Sequence, residues 1–111
     1  MVQYSPKLDA AFSALADPTR RGIPERLGRS EAGITELADT FGITPTGIKK
    51  HVGVLEAAGL VTTEKIGRVR FCRLGPRRLD DETAWIAKYR RMLEGRLNRL
   101  EDFLERTREE Q

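Results

Sequence analysis

The chain has 111 residues, 39% of them hydrophobic and 33% charged, with a formal net charge of +3. That length holds one hydrophobic core, and no apolar run approaches the ~20 residues that cross a bilayer. The opening stretch MVQYSPKLDAAF lacks the apolar centre of a signal peptide, so a cytoplasmic location is expected. A single cysteine, Cys72, excludes an internal disulfide framework, and a single histidine, His51, excludes a multi-histidine metal cage within one chain.

Ser5-Pro6 reads as an N-cap followed by proline at the first helical position, opening a helix over 7–16 with Leu8, Ala11, Phe12 and Leu15 as its apolar stripe. Asp17-Pro18 repeats the device for a second helix over 19–27. Pro24 falls inside it, removes the hydrogen bond to the Arg20 carbonyl and predicts a kink. Residues 28–33 read as a polar connection, and Thr35 is the expected cap of a short third helix over 36–41.

Gly42 supplies a tight turn, and Thr44-Pro45 caps a fourth helix over 45–58 that Gly59 ends. Two helices joined by about three residues with glycine at the corner make a helix-turn-helix. In the fourth helix Ile48, Val52 and Leu55 lie at i, i+4, i+7, which leaves Thr46, Lys49, Lys50 and Gly53 on the opposite face. The runs 60–66 and 69–74 are β-branched and alternating around Gly67-Arg68, a hairpin pattern. The order is that of a mainly α, α+β winged helix-turn-helix with about five helices and a two-stranded wing.

Gly75-Pro76 breaks the chain before a last helix over about 80–108. Its residues Ile86, Tyr89, Leu93, Leu97, Leu100 and Leu104 follow steps of 3, 4, 4, 3 and 4. This near-heptad seam is longer than a small three-helix core can cover, so a second copy of the chain is the expected partner. Leu8 and Phe12 of the first helix, with Trp85 beside the seam, complete the expected dimer surface. Residues 1–111 thus read as one domain with a C-terminal dimerisation helix, and only 107–111 are expected to fray.

Charge is distributed unevenly. Residues 42–79 carry eight basic and two acidic side chains, net +6, while the remainder sums to −3. Such a block is the footprint of a polyanion binder. Lys49 on the exposed helix face suits guanine O6 and N7, and Thr46 suits a thymine methyl. Lys65, Arg68 and Arg70 around the hairpin suit phosphate or a narrow minor groove. Thr44, Gly47 and Lys50 complete the expected DNA-facing set. His51 fits either a packing histidine or a phosphate contact.

Cys72 reads as a small half-buried hydrophobe, and Asp80, Asp81 and Glu82 as favourable charges at a helix start. No nucleophile–base pair, phosphate loop or metal set supports an enzyme, and no cofactor is expected.

The stretches FSALADPTRRGI, ITELADTFGITPTGIKKHVGVLEAAGLV and GRVRFCRL resemble the ArsR/SmtB family of bacterial winged-helix repressors. The resemblance covers nearly the whole chain. It implies a homodimer through the first and last helices, an operator overlapping a promoter, and release by an effector ligand or partner protein. Where soft-metal sensors of that family carry a Cys-x-Cys pair, this chain has Gly33 and Thr35. The expectation is a repressor that binds a palindromic operator as a homodimer. The alternative is a protein-interaction module whose long helix binds a partner while the winged helix reads no sequence.

Overall fold

The structure, a computed structural model, describes residues 5–109. Ser5 Oγ accepts from the Leu8 N–H at 3.3 Å and starts α1 (Pro6–Leu15); Asp17 Oδ1 accepts from the Arg20 N–H at 3.1 Å and starts α2 (Pro18–Leu27). Both caps are followed by proline at N1, where the missing N–H would have had no helical partner. α2 continues through Pro24 as one helix, with Ile23 and Leu27 buried on either side of it. The buried stripe of α1 is Ala11 and Ala14. Leu8 and Leu15 are half-buried and Phe12 is exposed, so the expected four-residue stripe is narrower than its apolar content suggests.

The polar connection holds a strand that its sequence does not announce. β1 (Ala32–Gly33) pairs antiparallel with β3 (Val69–Leu74) through Ala32↔Cys72 and Gly33↔Phe71. β3 also pairs with β2 (Val61–Ile66), so the wing hairpin belongs to a three-stranded sheet in the order β1-β3-β2. The extended backbone of Gly33 (φ −76°, ψ 162°) leads directly into α3 (Ile34–Phe41). Thr35 is therefore inside the helix and is not its cap, and no side chain caps that N-terminus.

Next come α4 (Pro45–Ala57) and, after the wing, α5 (Asp80–Glu109). The core of the winged-helix body is built from Ile23, Leu37, Ile48, Leu55, Val61 and Cys72, all fully buried. Ile48, Val52 and Leu55 anchor α4, and each such side chain contributes about 1.5–3 kcal/mol of apolar transfer.

The chain divides after Arg78 into two compact units, the winged-helix body and the C-terminal helix. Thr107, Arg108 and Glu109 remain helical; the rest of the segment expected to fray, residues 110 and 111, lies outside the described residues. No described helix is long and apolar enough to cross a membrane.

Candidate nucleic-acid interface

The presentation of α4 begins at its cap. Thr44 is extended (φ −65°, ψ 152°), and its Oγ1 accepts from the Gly47 N–H at 3.1 Å. Before it, Gly42 turns the chain with a left-handed φ of 64°, available to glycine without strain. With Ile48, Val52 and Leu55 facing inward, helical periodicity puts Thr46, Lys49, Lys50 and Gly53 outside, and all four are exposed. Gly47 has a different reason to be glycine: a Cβ there would come 2.7 Å from Ile43 Cγ2, inside the turn itself.

The wing adds the second wall. Ile66 pairs with Val69, which leaves Gly67-Arg68 as a two-residue turn with Gly67 at φ 63°. Val61, Thr63 and Lys65 share a face with Arg70, Cys72 and Leu74, because directly opposed residues of an antiparallel pair lie on the same side. Val61 and Cys72 are in the core, while the tip end of that face carries Lys65 opposite Arg70. Like charges directly opposed are unfavourable in isolation.

Lys49 from α4 and Lys65, Arg68 and Arg70 from the wing line one cleft of about 320 Å³, with Ile34, Thr35, Pro45 and Val69 as the rest of its wall. The fold thus gathers cations that lie up to 21 positions apart in sequence. A second hollow of about 200 Å³ shares Ile34, Lys49 and Arg70 with it and extends along α4 past Gly53 to Glu56. There Arg70 Nη1 donates to Thr63 Oγ1 at 3.0 Å, and Thr63 Oγ1 donates to Glu56 Oε2 at 2.7 Å. This relay holds the Arg70 guanidinium to the side of the wing that faces α4.

Not every cation of the basic block is available. Arg73 pairs with Glu64 at 3.2 Å and Glu31 at 3.7 Å, and Arg77 Nη1 donates to the carbonyls of Lys7 (2.8 Å) and Ala58 (3.1 Å). Those two bind the fold itself. Lys49, Lys50, Lys65 and Arg68 make no hydrogen bond or ion pair among the described residues. Lys49, Lys65 and Arg68 line the cleft, and Lys50 is exposed beside Lys49 on α4.

His51 is half-buried, and the structure ties it to the body of the domain. Arg20 Nη1 lies 3.3 Å from its Nδ1, and Asp17 Oδ1 lies 4.0 Å away. Nδ1 thus lies between a guanidinium and a carboxylate from the start of α2. The Arg20 N–H, ahead of the opposing effect of burial and the attraction of His51, holds the Asp17 carboxyl below its ordinary range.

Arg20 also donates from Nε to the Ala14 carbonyl (2.8 Å) and from Nη2 to the Ser13 carbonyl (3.3 Å), while Arg21 Nη1 reaches the Leu15 carbonyl (2.9 Å). The DPTRR stretch is thus a double cap: aspartate starts α2 and the arginines close α1. Counting charge cannot reveal this, because the partners are backbone carbonyls. Cys72 is buried, and desolvation, helped by Glu56, pushes its thiol up from the ordinary 9.0.

In the other unit, the seam residues Ile86, Tyr89, Leu93, Leu97, Leu100 and Leu104 are each between 45% and 60% exposed along a helix roughly 45 Å long. Trp85, Met92 and Phe103 widen the apolar face; the strict heptad reading omitted the last two. The Trp85 and Tyr89 rings stack with centroids 5.6 Å apart and planes within 8°.

Residues 15–64 match the helix-turn-helix domain family. The chain is 38% identical over 68 residues to the HTH-type transcriptional regulator Rv2034 of Mycobacterium tuberculosis, a match that takes in 61% of this chain and 64% of that protein. It therefore spans just under two thirds of that relative's length. Over 69 residues it is 44% identical to the HTH-type transcriptional regulator YuzN of Bacillus subtilis, covering 56% of this chain and 75% of that one. The crystal structure of an ArsR family transcriptional regulator, RHA00566, superposes with a TM-score of 0.74 at 39% identity, covering 85% of this chain and 97% of that one.

Proposed function

Since this chain belongs to the ArsR family of winged helix-turn-helix transcriptional regulators, we propose that it works as a homodimeric repressor in the cytoplasm, seating α4 in the major groove of a palindromic operator. The observation that carries this reading is the cleft in which Lys49 of α4 meets Lys65, Arg68 and Arg70 of the wing. Opposed like charges with no internal counterion suit a surface that meets phosphates.

Lys49, in the middle of the outward stripe, is the long donor for a base edge, with Thr46 one turn before it. Arg68 at the wing tip meets phosphate or minor groove, Arg70 is aimed by its relay through Thr63 and Glu56, and Lys50 and His51 supply phosphate contacts beside them. Thr44 and Gly47 set the helix start at the DNA surface through their cap.

The dimer forms through α5, with Leu8 and Phe12 of α1 contributing. An apolar stripe of this length on a single helix is otherwise left in water. Two copies related by a two-fold axis put two α4 helices on successive grooves, so half-sites are centred about one helical turn apart. The experiment is a footprint of the purified protein on DNA upstream of its own gene, together with enrichment of bound sequences from a random duplex library. Protection of an inverted repeat supports the reading. Binding that shows no sequence preference refutes it.

A further inference from the structure

We propose that Gly53 is the point where α4 comes closest to the edges of the base pairs, and that the missing side chain at this position is itself a determinant of sequence-specific binding. Gly53 is the ninth of thirteen residues of α4 and has no left-handed φ. Glycine inside a helix is unfavourable relative to alanine, because it adds backbone entropy to the unfolded chain and buries nothing. Other glycines of this body show what the fold can ask of such a position. At Gly22 the reason is visible, since a Cβ would come 2.6 Å from the Phe41 ring, and at Gly47 it is the Ile43 side chain. At Gly53 a Cβ would meet nothing within 4 Å.

The fold therefore does not require glycine at this position, and the surroundings indicate what does. Gly53 lies one turn beyond Lys49 on the stripe that begins at Thr46, and it lines the hollow shared by Lys49, Glu56 and Arg70. The helix surface is lowest at Gly53, between an unpaired lysine and the Glu56–Thr63–Arg70 relay. With no side chain at Gly53, a rigid, flat-edged partner can approach the helix backbone there. Base pairs in a major groove are such a partner, and closer approach at Gly53 brings the Lys49 ammonium within reach of the base edge.

This inference rests on the proposed DNA-binding function and separates from it in the test. The probes are the duplex that the wild-type protein enriches from a random library and a scrambled duplex of the same composition. Gly53→Ala and Gly53→Leu are compared with Gly95→Ala. Gly95 also lies inside a helix with nothing near its Cβ, but it is two residues from both Leu93 and Leu97 and so sits on the side of α5 away from the seam.

Both alanine variants should raise the thermal midpoint by a few degrees, as a helical glycine replaced by alanine does. Gly95→Ala should bind both duplexes like wild type. Gly53→Ala should bind the enriched duplex about tenfold more weakly, and Gly53→Leu more weakly still, with little change on the scrambled duplex. The salt dependence should not change, because no phosphate contact is lost. Gly53→Ala binding the enriched duplex within about twofold of wild type overturns the inference while the proposed function stands. A fall in the thermal midpoint of Gly53→Ala overturns it too, since the glycine would then be serving the fold. A wild type that enriches no sequence overturns the proposed function and this inference together.

Discussion

Replacing Lys65 by threonine should make the free protein more stable and the DNA complex weaker. Lys65 is directly opposite Arg70 in the β2–β3 register, so the two β-carbons are about 4.5–5.5 Å apart on one face of the hairpin. Neither charge has a carboxylate partner, and Arg70 donates only to the neutral Thr63 hydroxyl. Relief of that repulsion at an exposed pair should add about 0.2–1 kcal/mol, and threonine is as good a strand residue as lysine or better.

In the proposed complex the same lysine would neutralise phosphate. Each lost contact lowers the slope of log affinity against log salt by about 0.9, or about 1.8 for the two copies in a dimer. The loss should be similar on operator and scrambled DNA, because phosphate carries no sequence information. Urea unfolding gives the first quantity and fluorescence anisotropy over a salt series gives the second. Lys65→Glu should push both effects further, since it creates a cross-strand ion pair and presents a negative charge to DNA. A Lys65→Thr variant that is less stable, or whose salt slope equals that of wild type, refutes this account of the wing.

Lys49→Ala should cost ~1–3 kcal/mol per half-site on the enriched duplex and little on scrambled DNA, the signature of a base contact, measured by the same titrations. Leu97→Asp, at the most exposed seam position, should shift sedimentation at micromolar concentration from dimer towards a 12.6 kDa monomer; an unchanged dimer would place the interface elsewhere.

Asp17 has a depressed carboxyl pKa, so its contribution to stability is present above its ordinary 3.8 and is lost as pH falls through the folded value. The urea midpoint should drop on acidification to about pH 3, and Asp17→Asn, which keeps a capping oxygen, should flatten that drop. A chelator should leave DNA affinity unchanged, since Gly33 and Thr35 offer no thiolate; tightly held zinc, nickel or copper whose removal alters affinity would contradict this.

The parts of the fold that were legible in the sequence are those marked by residues with one strong conformational habit. Ser5-Pro6, Asp17-Pro18 and Thr44-Pro45 each start a helix as expected, Gly59 ends one at φ 78°, and Gly67 turns the hairpin. β1 was not legible because Ala32 and Gly33 have no strand preference of their own. They are drawn in by the open edge of β3, a long-range effect that a local window cannot contain. The failed expectation for Thr35 has the same source, since pairing with β3 already extends Gly33 and lets the helix start two residues earlier.

The basic block was legible as a charge count but not as a site. Counting could not separate Arg73 and Arg77, which bind acids and carbonyls of the fold, from Lys49, Lys65 and Arg68, which bind nothing within it. The involvement of Glu56 was hidden for a related reason. Its role comes through Thr63, on a neighbouring strand seven residues on.

The side chains proposed to read DNA divide into those that also hold the fold, such as Thr44, His51 and Arg70, and those that do not. Asp17, Arg20 and Arg77 tie helix ends to one another, whereas Thr46, Lys49 and Arg68 could be exchanged without disturbing a single internal bond. Descendants of such a chain can drift from one target sequence to another by surface changes alone, passing through intermediates that all fold. The framework can in turn gain or lose stability without altering the exposed residues of α4 and the wing. Gene duplication acting on this architecture therefore yields regulators that diverge quickly in address and slowly in shape.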